Sequence, residues 1–257
     1  MTSTRLDLAL TGGVEARLAF TDRGAPGSDG SSRSPFQWSN LGSHVGDDPA
    51  AVTANRDALA GTLGVPSAAM AFMHPDHGRG VATMVAGTGT APGAEVRDVD
   101  AMVTDRPGVA LVALAADCVP ILVVDPQAGV IAAVHSGWRG AALDVVAAAV
   151  TGMQRLGAEP GRLVAHLGPA ICGSCYPVPA VRVEQVAAVC PAAATRSRDG
   201  QPALDLRAGL AARLQQLGAR TVLVGGCTAE DSQCYSHRRD GLTGRQGAAI
   251  VVVGAGA

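Results

Sequence analysis

Lysine is absent from this chain: all 20 basic side chains are arginine. That absence excludes a Schiff-base lysine, a pyridoxal phosphate anchor and the lysine of a P-loop. Any anion bound here must be held by arginine, backbone N–H or a metal. Aromatic residues are scarce as well, at 3% against 47% hydrophobic overall, so the core must be built from Ala, Val and Leu. No apolar run approaches the ~18–20 residues of a membrane helix. The N-terminal Met1–Gly13 stretch lacks the apolar core of a signal peptide. The net charge of −2 supplies no general field for nucleic acid or anionic lipid. Six cysteines without a leader point to a reducing cytoplasm rather than a disulfide framework. Six histidines are too few for a trinuclear plus blue-copper set, which counts against laccase chemistry.

What is present points to a metal. Cys118 lies in Ala-Asp-Cys-Val-Pro-Ile-Leu-Val-Val-Asp, and His135 in Ala-Val-His-Ser-Gly-Trp-Arg-Gly. With His77 they would form a three-ligand site whose fourth position is open, the pattern of catalytic zinc. Pro120–Asp125 reads as a buried strand and Val130–His135 as its return, joined by Asp-Pro-Gln-Ala-Gly turn chemistry. If Asp125 faces Val130, Pro120 faces His135. Cys118 then lies diagonally on the same face, about 7–8 Å away at Cα. A one-residue slip would separate the two side chains. Nothing local places His77. A Cys118–His135 thiolate–imidazole pair for covalent hydrolysis remains an equal use of the same residues.

The pattern along the chain predicts one α+β domain over residues 1–257, with mixed sheets, rather than a doubly wound parallel fold. An N-terminal hairpin to about Phe20 and a long loop over Thr21–Ser39 come first. A helix follows from the Asp48 cap and Pro49 to about Leu63. Strands are expected over 68–73, 81–86, 96–103 and 109–115, with a loop at 88–93. Beyond the hairpin, helices are expected over 141–156, 179–189 and 205–217, and strands over 163–166, 221–224 and 248–253. Cys172-Gly-Ser-Cys175 has metal-knuckle spacing, and Cys227 and Cys234 could in principle complete it, but a turn-rich loop is the simpler expectation. Arg238, Arg239 and Arg245 form a glycine-punctuated late cluster suited to an anion. Arg139, close to His135, is the preferred site arginine.

Several segments together resemble the YfiH/laccase-domain family, whose members have been called multicopper polyphenol oxidase and peptidoglycan editing factor. They are Asn40-Leu-Gly-Ser-His-Val-Gly-Asp-Asp-Pro, Asn55-Arg56, Asp76-His77-Gly78, Ala-Asp117-Cys118-Val-Pro, His135-Ser-Gly-Trp-Arg-Gly, Gly168-Pro-Ala-Ile-Cys and Ser236-His-Arg-Arg-Asp-Gly with Thr-Gly-Arg245. The resemblance implies an α+β sandwich with flanking helices, related to cysteine-hydrolase-like toxins. It implies phosphorolysis of adenosine, inosine and methylthioadenosine, with an adenosine deaminase activity beside it. It also implies a metal, zinc with copper as the alternative, on His77, Cys118 and His135. Cys118, His135 and Asp117 are then the expected catalytic residues, and Asn40, Arg139, Arg239 and Arg245 the expected substrate and phosphate ligands. The implied partners are a purine nucleoside and phosphate, in a cytoplasmic monomer or homodimer. His74 is a competing ligand, because Pro75-Asp76 stands where the family usually has Gln-Val. Alternatives are a Cys118-dependent amide hydrolase acting in peptidoglycan precursor editing, and a copper polyphenol oxidase.

Overall fold

The computed structural model describes residues 3–24, 30–85 and 95–254. In chain order the strands are β1 (Ser3–Ala9), β2 (Glu15–Thr21), β3 (Met70–His74), β4 (Val81–Thr83), β5 (Glu95–Arg97), β6 (Ala101–Thr104), β7 (Ala110–Ala115), β8 (Val119–Asp125), β9 (Val130–Ser136), β10 (Val164–Leu167), β11 (Ala194–Arg196), β12 (Pro202–Leu204), β13 (Arg220–Leu223) and β14 (Gln246–Val253). The helices are α1 (Pro49–Leu63), α2 (Trp138–Ala142), α3 (Val145–Arg155), α4 (Ala180–Ala187), α5 (Leu206–Gln216) and α6 (His237–Asp240). Two mixed six-stranded sheets result, in the orders β1-β2-β14-β7-β3-β5 and β13-β10-β8-β9-β6-β4, with β11 and β12 as a separate small pair.

The sheets stack face to face. Leu18, Leu111, Ala113 and Ile250 of the first meet Leu122, Val124, Ile131 and Ala133 of the second. The outer face of the second sheet carries α3 and α5, and that of the first is covered by α1 through Leu59 and Leu63. Strands buried on both faces read as continuous apolar runs, not alternations. That is why β8 and β9 are buried at all seven positions each. Helix α1 is set by its ends: Asp48 accepts from Ala50 N at 2.9 Å, and Gly64 closes the helix at φ 70°. Its inward face also carries Asn55 and Arg56, which bind the Asn40 and Leu41 carbonyls at 2.9 Å each. These two bonds hold the Asn40 segment beside the sheet.

The β8–β9 register pairs Asp125 with Val130 and Pro120 with His135, as the turn chemistry requires. Asp125 Oδ1 accepts from Gln127 N at 2.9 Å inside the turn, and Gly129 takes φ 66°. Three expectations need correction. The single strand expected over 96–103 is two strands in different sheets, because the chain changes sheet through Asp98, at φ 60°, and Asp100. The helix expected over 141–156 begins at Trp138 and breaks at Asp144, at φ 58°, whose carboxylate pairs with Arg213 on α5 at 2.6 Å. The strand expected over 81–86 stops at Thr83. The loop expected at 88–93 lies outside the described residues.

Candidate metal centre and substrate cleft

Cys118 immediately precedes β8 and His135 is the penultimate residue of β9, so the hairpin presents both at one end. His77 arrives from the β3–β4 loop. One donor atom from each of the three lies within 4.8 Å of the others. The His77 and His135 rings meet edge to face with centroids 4.8 Å apart. His77 itself, not the following glycine, takes the left-handed conformation at φ 62°, and Asp117 beside Cys118 sits at φ 85°. Such conformations are costly for residues other than glycine and persist where the surroundings impose them. A Cβ on Gly137 would lie 3.0 Å from Cys118 Sγ and 3.1 Å from His77 Cδ2, so a side chain there would press on two of the three donors where α2 begins.

Asp100 locks this arrangement. Its Oδ1 meets His135 Nδ1 at 2.9 Å, and its Oδ2 accepts from Gly78 N at 2.7 Å. Its carbonyl accepts from His135 N at 2.8 Å. One fully buried carboxylate therefore ties the His77 loop to the His135 strand and leaves His135 Nε2 for the centre. Burial opposes ionisation of Asp100, but hydrogen bonds from His135 and Asp76 outweigh it and lower its pKa to about 2. Burial likewise opposes ionisation of Cys118, but His135 and His77 bring the thiol down to about 6. His135 is raised to about 9: burial lowers it, and the Cys118 thiolate and Asp100 more than compensate. Without an ion, the Cys118 thiolate is thus paired with a protonated His135, and a bound cation would take the place of that proton. Two imidazoles and one thiolate, an orienting carboxylate on one imidazole and an accessible mouth suit a borderline-soft ion such as zinc.

The centre opens into a cleft of about 410 Å³. Leu114, Ile171 and Leu206 line it, with Trp138 and Tyr176, two of only seven aromatic residues in the chain (2 Trp, 2 Tyr and 3 Phe). His44, His74 and His237 also reach it.

The expected site residues do not all converge. Asp117 lines the cleft, but both its oxygens accept short bonds, from Thr228 Oγ1 and from Arg238 N at 2.6 Å each. Asn40 is fully buried; it anchors Arg245 N at 2.8 Å and Gly42 N at 2.9 Å. Its amide thus shapes the wall and is already committed. Arg245 lines the cleft, donates to the Thr243 and Gly244 carbonyls, and has no carboxylate within ion-pair distance among the described residues. Burial lowers its pKa. Arg139 is exposed on α2 and is not among the cleft-lining residues. Arg239 turns away from the cleft to bind Asp240 and the Thr228, Asp231 and Cys234 carbonyls. Its neighbour Arg238 lines the cleft instead and stacks over Tyr176, 4.9 Å from the ring centre. Asp100 and His44 were the residues missed, and Arg238 was expected only as part of the late arginine cluster. Asp100 ends the charged run Glu95-Val-Arg-Asp-Val-Asp100, and nothing local sets it apart from Asp98.

His74, the competing ligand, binds Glu95 through Nδ1 at 2.8 Å and contacts the His44 ring at 5.0 Å. It belongs to a separate His44–His74–Glu95 group, whose carboxylate also takes Arg56 at 2.7 Å and Ser43 at 2.5 Å.

A purine nucleoside phosphorylase of Streptomyces coelicolor is 48% identical over 231 residues, 90% of this chain and 93% of that protein. The crystal structure of the Bacillus licheniformis hypothetical protein YfiH superposes with a TM-score of 0.83 at 29% identity, covering 92% of each chain. YlmD from Geobacillus stearothermophilus superposes with a TM-score of 0.82 at 32% identity, covering 94% of this chain and 93% of that one. The family model described as multi-copper polyphenol oxidoreductase laccase matches residues 17–253, and the chain belongs to that family.

Proposed function

We propose that this chain is a metal-dependent purine nucleoside phosphorylase. The observation that carries the proposal is the pairing, in one cleft, of an open His77–Cys118–His135 donor set with Arg245, a cation that has no carboxylate partner among the described residues. The relatives named purine nucleoside phosphorylase support it. A divalent cation bound to these three donors would supply Lewis acidity to an oxygen at the open position.

The chain's own residues do the rest. Arg245 and Arg238, which both line the cleft, offer guanidinium N–H groups to phosphate in a protein without lysine. Leu114, Ile171, Trp138 and Tyr176 give a purine an apolar and aromatic bed. A phosphate oxygen attacks the ribose C1′, the C1′–N9 bond breaks, and its electron pair leaves with the base. The products are free purine and ribose 1-phosphate. His237 lines the cleft, and its Nδ1 is engaged by the Gly241 carbonyl at 2.8 Å, so Nε2 is the position that can hold a proton for the departing base. Adenosine, inosine and methylthioadenosine are the substrates proposed, with deamination of adenosine as a side activity.

Incubation with inosine, with and without phosphate, tests this by chromatography of hypoxanthine and ribose 1-phosphate. Base release is expected to require phosphate, to cease on metal removal and to return with zinc. No phosphate-dependent release from fully metal-loaded protein would refute it. One observation favours a second use of the same atoms. Asp100, His135 and Cys118 stand in the order of an orienting acid, a base and a nucleophile. Metal-free amide hydrolysis by Cys118 predicts activity that survives chelation and dies on alkylation. A polyphenol oxidase of the multicopper kind remains short of imidazoles, since His166 is buried elsewhere and His74 is committed to Glu95.

A further inference from the structure

Strands β10 and β13 are parallel neighbours, and their pairing continues past their ends through an Ala170–Cys227 bridge. The two loops that follow therefore leave the sheet side by side. Each makes the same turn. Cys175 N donates to the Cys172 carbonyl at 3.0 Å, and Glu230 N to the Cys227 carbonyl at 3.2 Å. Each turn brings its first and fourth side chains together, so the sequence reads C-x2-C in one loop and C-x2-E in the other. Donor atoms of Cys172, Cys175, Cys227 and Glu230 all lie within 4.8 Å of one another. Cys234, the fourth cysteine suggested by sequence, is not in the group; it is buried against Asp231.

We propose that Cys172, Cys175, Cys227 and Glu230 form a second, closed site for a thiophilic divalent cation, of which zinc is the type. Three sulfurs and one carboxylate fill a tetrahedral shell, so this site has no open position and is structural, unlike the His77–Cys118–His135 centre. The second pair lies within the two-to-four-residue spacing of knuckle ligands once Glu230 is counted. The backbone is already turned toward a thiolate, since Cys172 N points at Cys227 Sγ at 3.3 Å. Arg198 holds Glu230 Oε1 at 2.6 Å, orienting the carboxylate from outside. Burial and the neighbouring thiols push Cys175 up to about 12, whereas backbone N–H groups, against the effect of burial, lower Cys227. The consequence reaches the cleft. Ile171 N donates to the Asp117 carbonyl at 3.0 Å, and Thr228 Oγ1 to the Asp117 carboxylate at 2.6 Å, so the two clipped loops also hold the residue before Cys118.

Metal analysis and cobalt spectroscopy of the full chain test the proposal. The zinc-loaded protein is expected to carry two ions, and Cys118→Ser and Cys227→Ser one each. Cobalt-loaded Cys118→Ser should show tetrahedral d–d bands with strong sulfur-to-cobalt charge transfer, and Cys227→Ser should lose most of that intensity. Should Cys227→Ser fail to fold, Glu230→Gln and Arg198→Ala alter exposed side chains only. Arg198→Ala should weaken zinc at this site roughly 10–100-fold in competition with a chromophoric chelator. A single zinc in the wild-type chain, or a second zinc whose binding neither Glu230→Gln nor Arg198→Ala changes, would overturn the assignment. So would non-reducing peptide mapping that finds Cys172 in a disulfide with Cys175 or Cys227 in the metal-loaded protein.

Discussion

Asp100 and His74 show how two residues of similar promise differ in what they touch. Asp100 holds a ligand ring and the backbone beside a second ligand, at 2.9 and 2.7 Å. Asp100→Asn keeps the shape but loses the charge and one acceptor. Zinc affinity at the His77–Cys118–His135 centre should fall roughly 10–100-fold, measured by chelator competition. An unchanged affinity would show that the hydrogen bonds are incidental. His74 gives its Nδ1 to Glu95 instead. Cys118→Ala and His135→Ala should each empty that centre, because an open site has no spare protein ligand, while His74→Ala should leave it loaded. A His74→Ala protein without this zinc, beside a His77→Ala protein that keeps it, would reverse the assignment. The arginines teach the same lesson. Arg139 is nearer His135 in sequence, yet Arg245 lines the cleft, because Asn40 fixes its backbone from more than two hundred residues away.

At the scale of elements, what was legible depended on how local the determinant is. The β8–β9 register follows from a five-residue turn, so the pairing of Pro120 with His135, and the shared face of Cys118 and His135, could be read from sequence. The caps of α1 and α5 were legible for the same reason: Asp48 and Asp205 each bond an N–H two or three residues on. The change of sheet at Asp98–Asp100 was not, because no glycine or proline interrupts residues 95–103 and only tertiary packing separates β5 from β6. Reading one strand there also hid Asp100. His77 has no local tie to the hairpin and could be assigned only by family resemblance. The turn itself can be tested. Gly129 has φ 66°, and a Cβ added there would meet nothing within 4 Å, so Gly129→Ala adds backbone strain without a clash. It should cost about 1–2 kcal/mol, read from the denaturant midpoint at constant slope. A neutral substitution would mean that the turn relaxes and does not dictate the register.

At the scale of the whole molecule, the layers must be tied where the cleft interrupts their packing, and Glu95 does this at the rim. It begins β5 and binds Arg56 of α1, His74 of β3 and Ser43 of the loop before α1. Burial opposes its ionisation, but the hydrogen bonds from Ser43, His74 and Arg56 outweigh that, and its pKa falls from 4.5 to about 2. A carboxylate whose pKa is depressed by folding stabilises the protein above its unfolded pKa. That contribution is lost as the pH falls through the folded value. The shift corresponds to a contribution on the order of 3 kcal/mol at neutral pH. The titratable and charged groups facing Glu95 are Arg56, His74 and His44, with Arg245 beyond. His44, lowered to about 4 by burial and by Arg245 and held up in part by the Glu95 charge, gains its proton inside the same window in wild type and at lower pH in the variant. Glu95→Gln should therefore destabilise the chelator-treated protein at neutral pH, with the deficit shrinking between about pH 4.5 and pH 2 as wild-type Glu95 takes up its proton. Denaturant unfolding of both proteins across that range measures it. A deficit independent of pH would assign Glu95 a packing role and leave the join between α1, β3 and β5 to the apolar contacts beneath it.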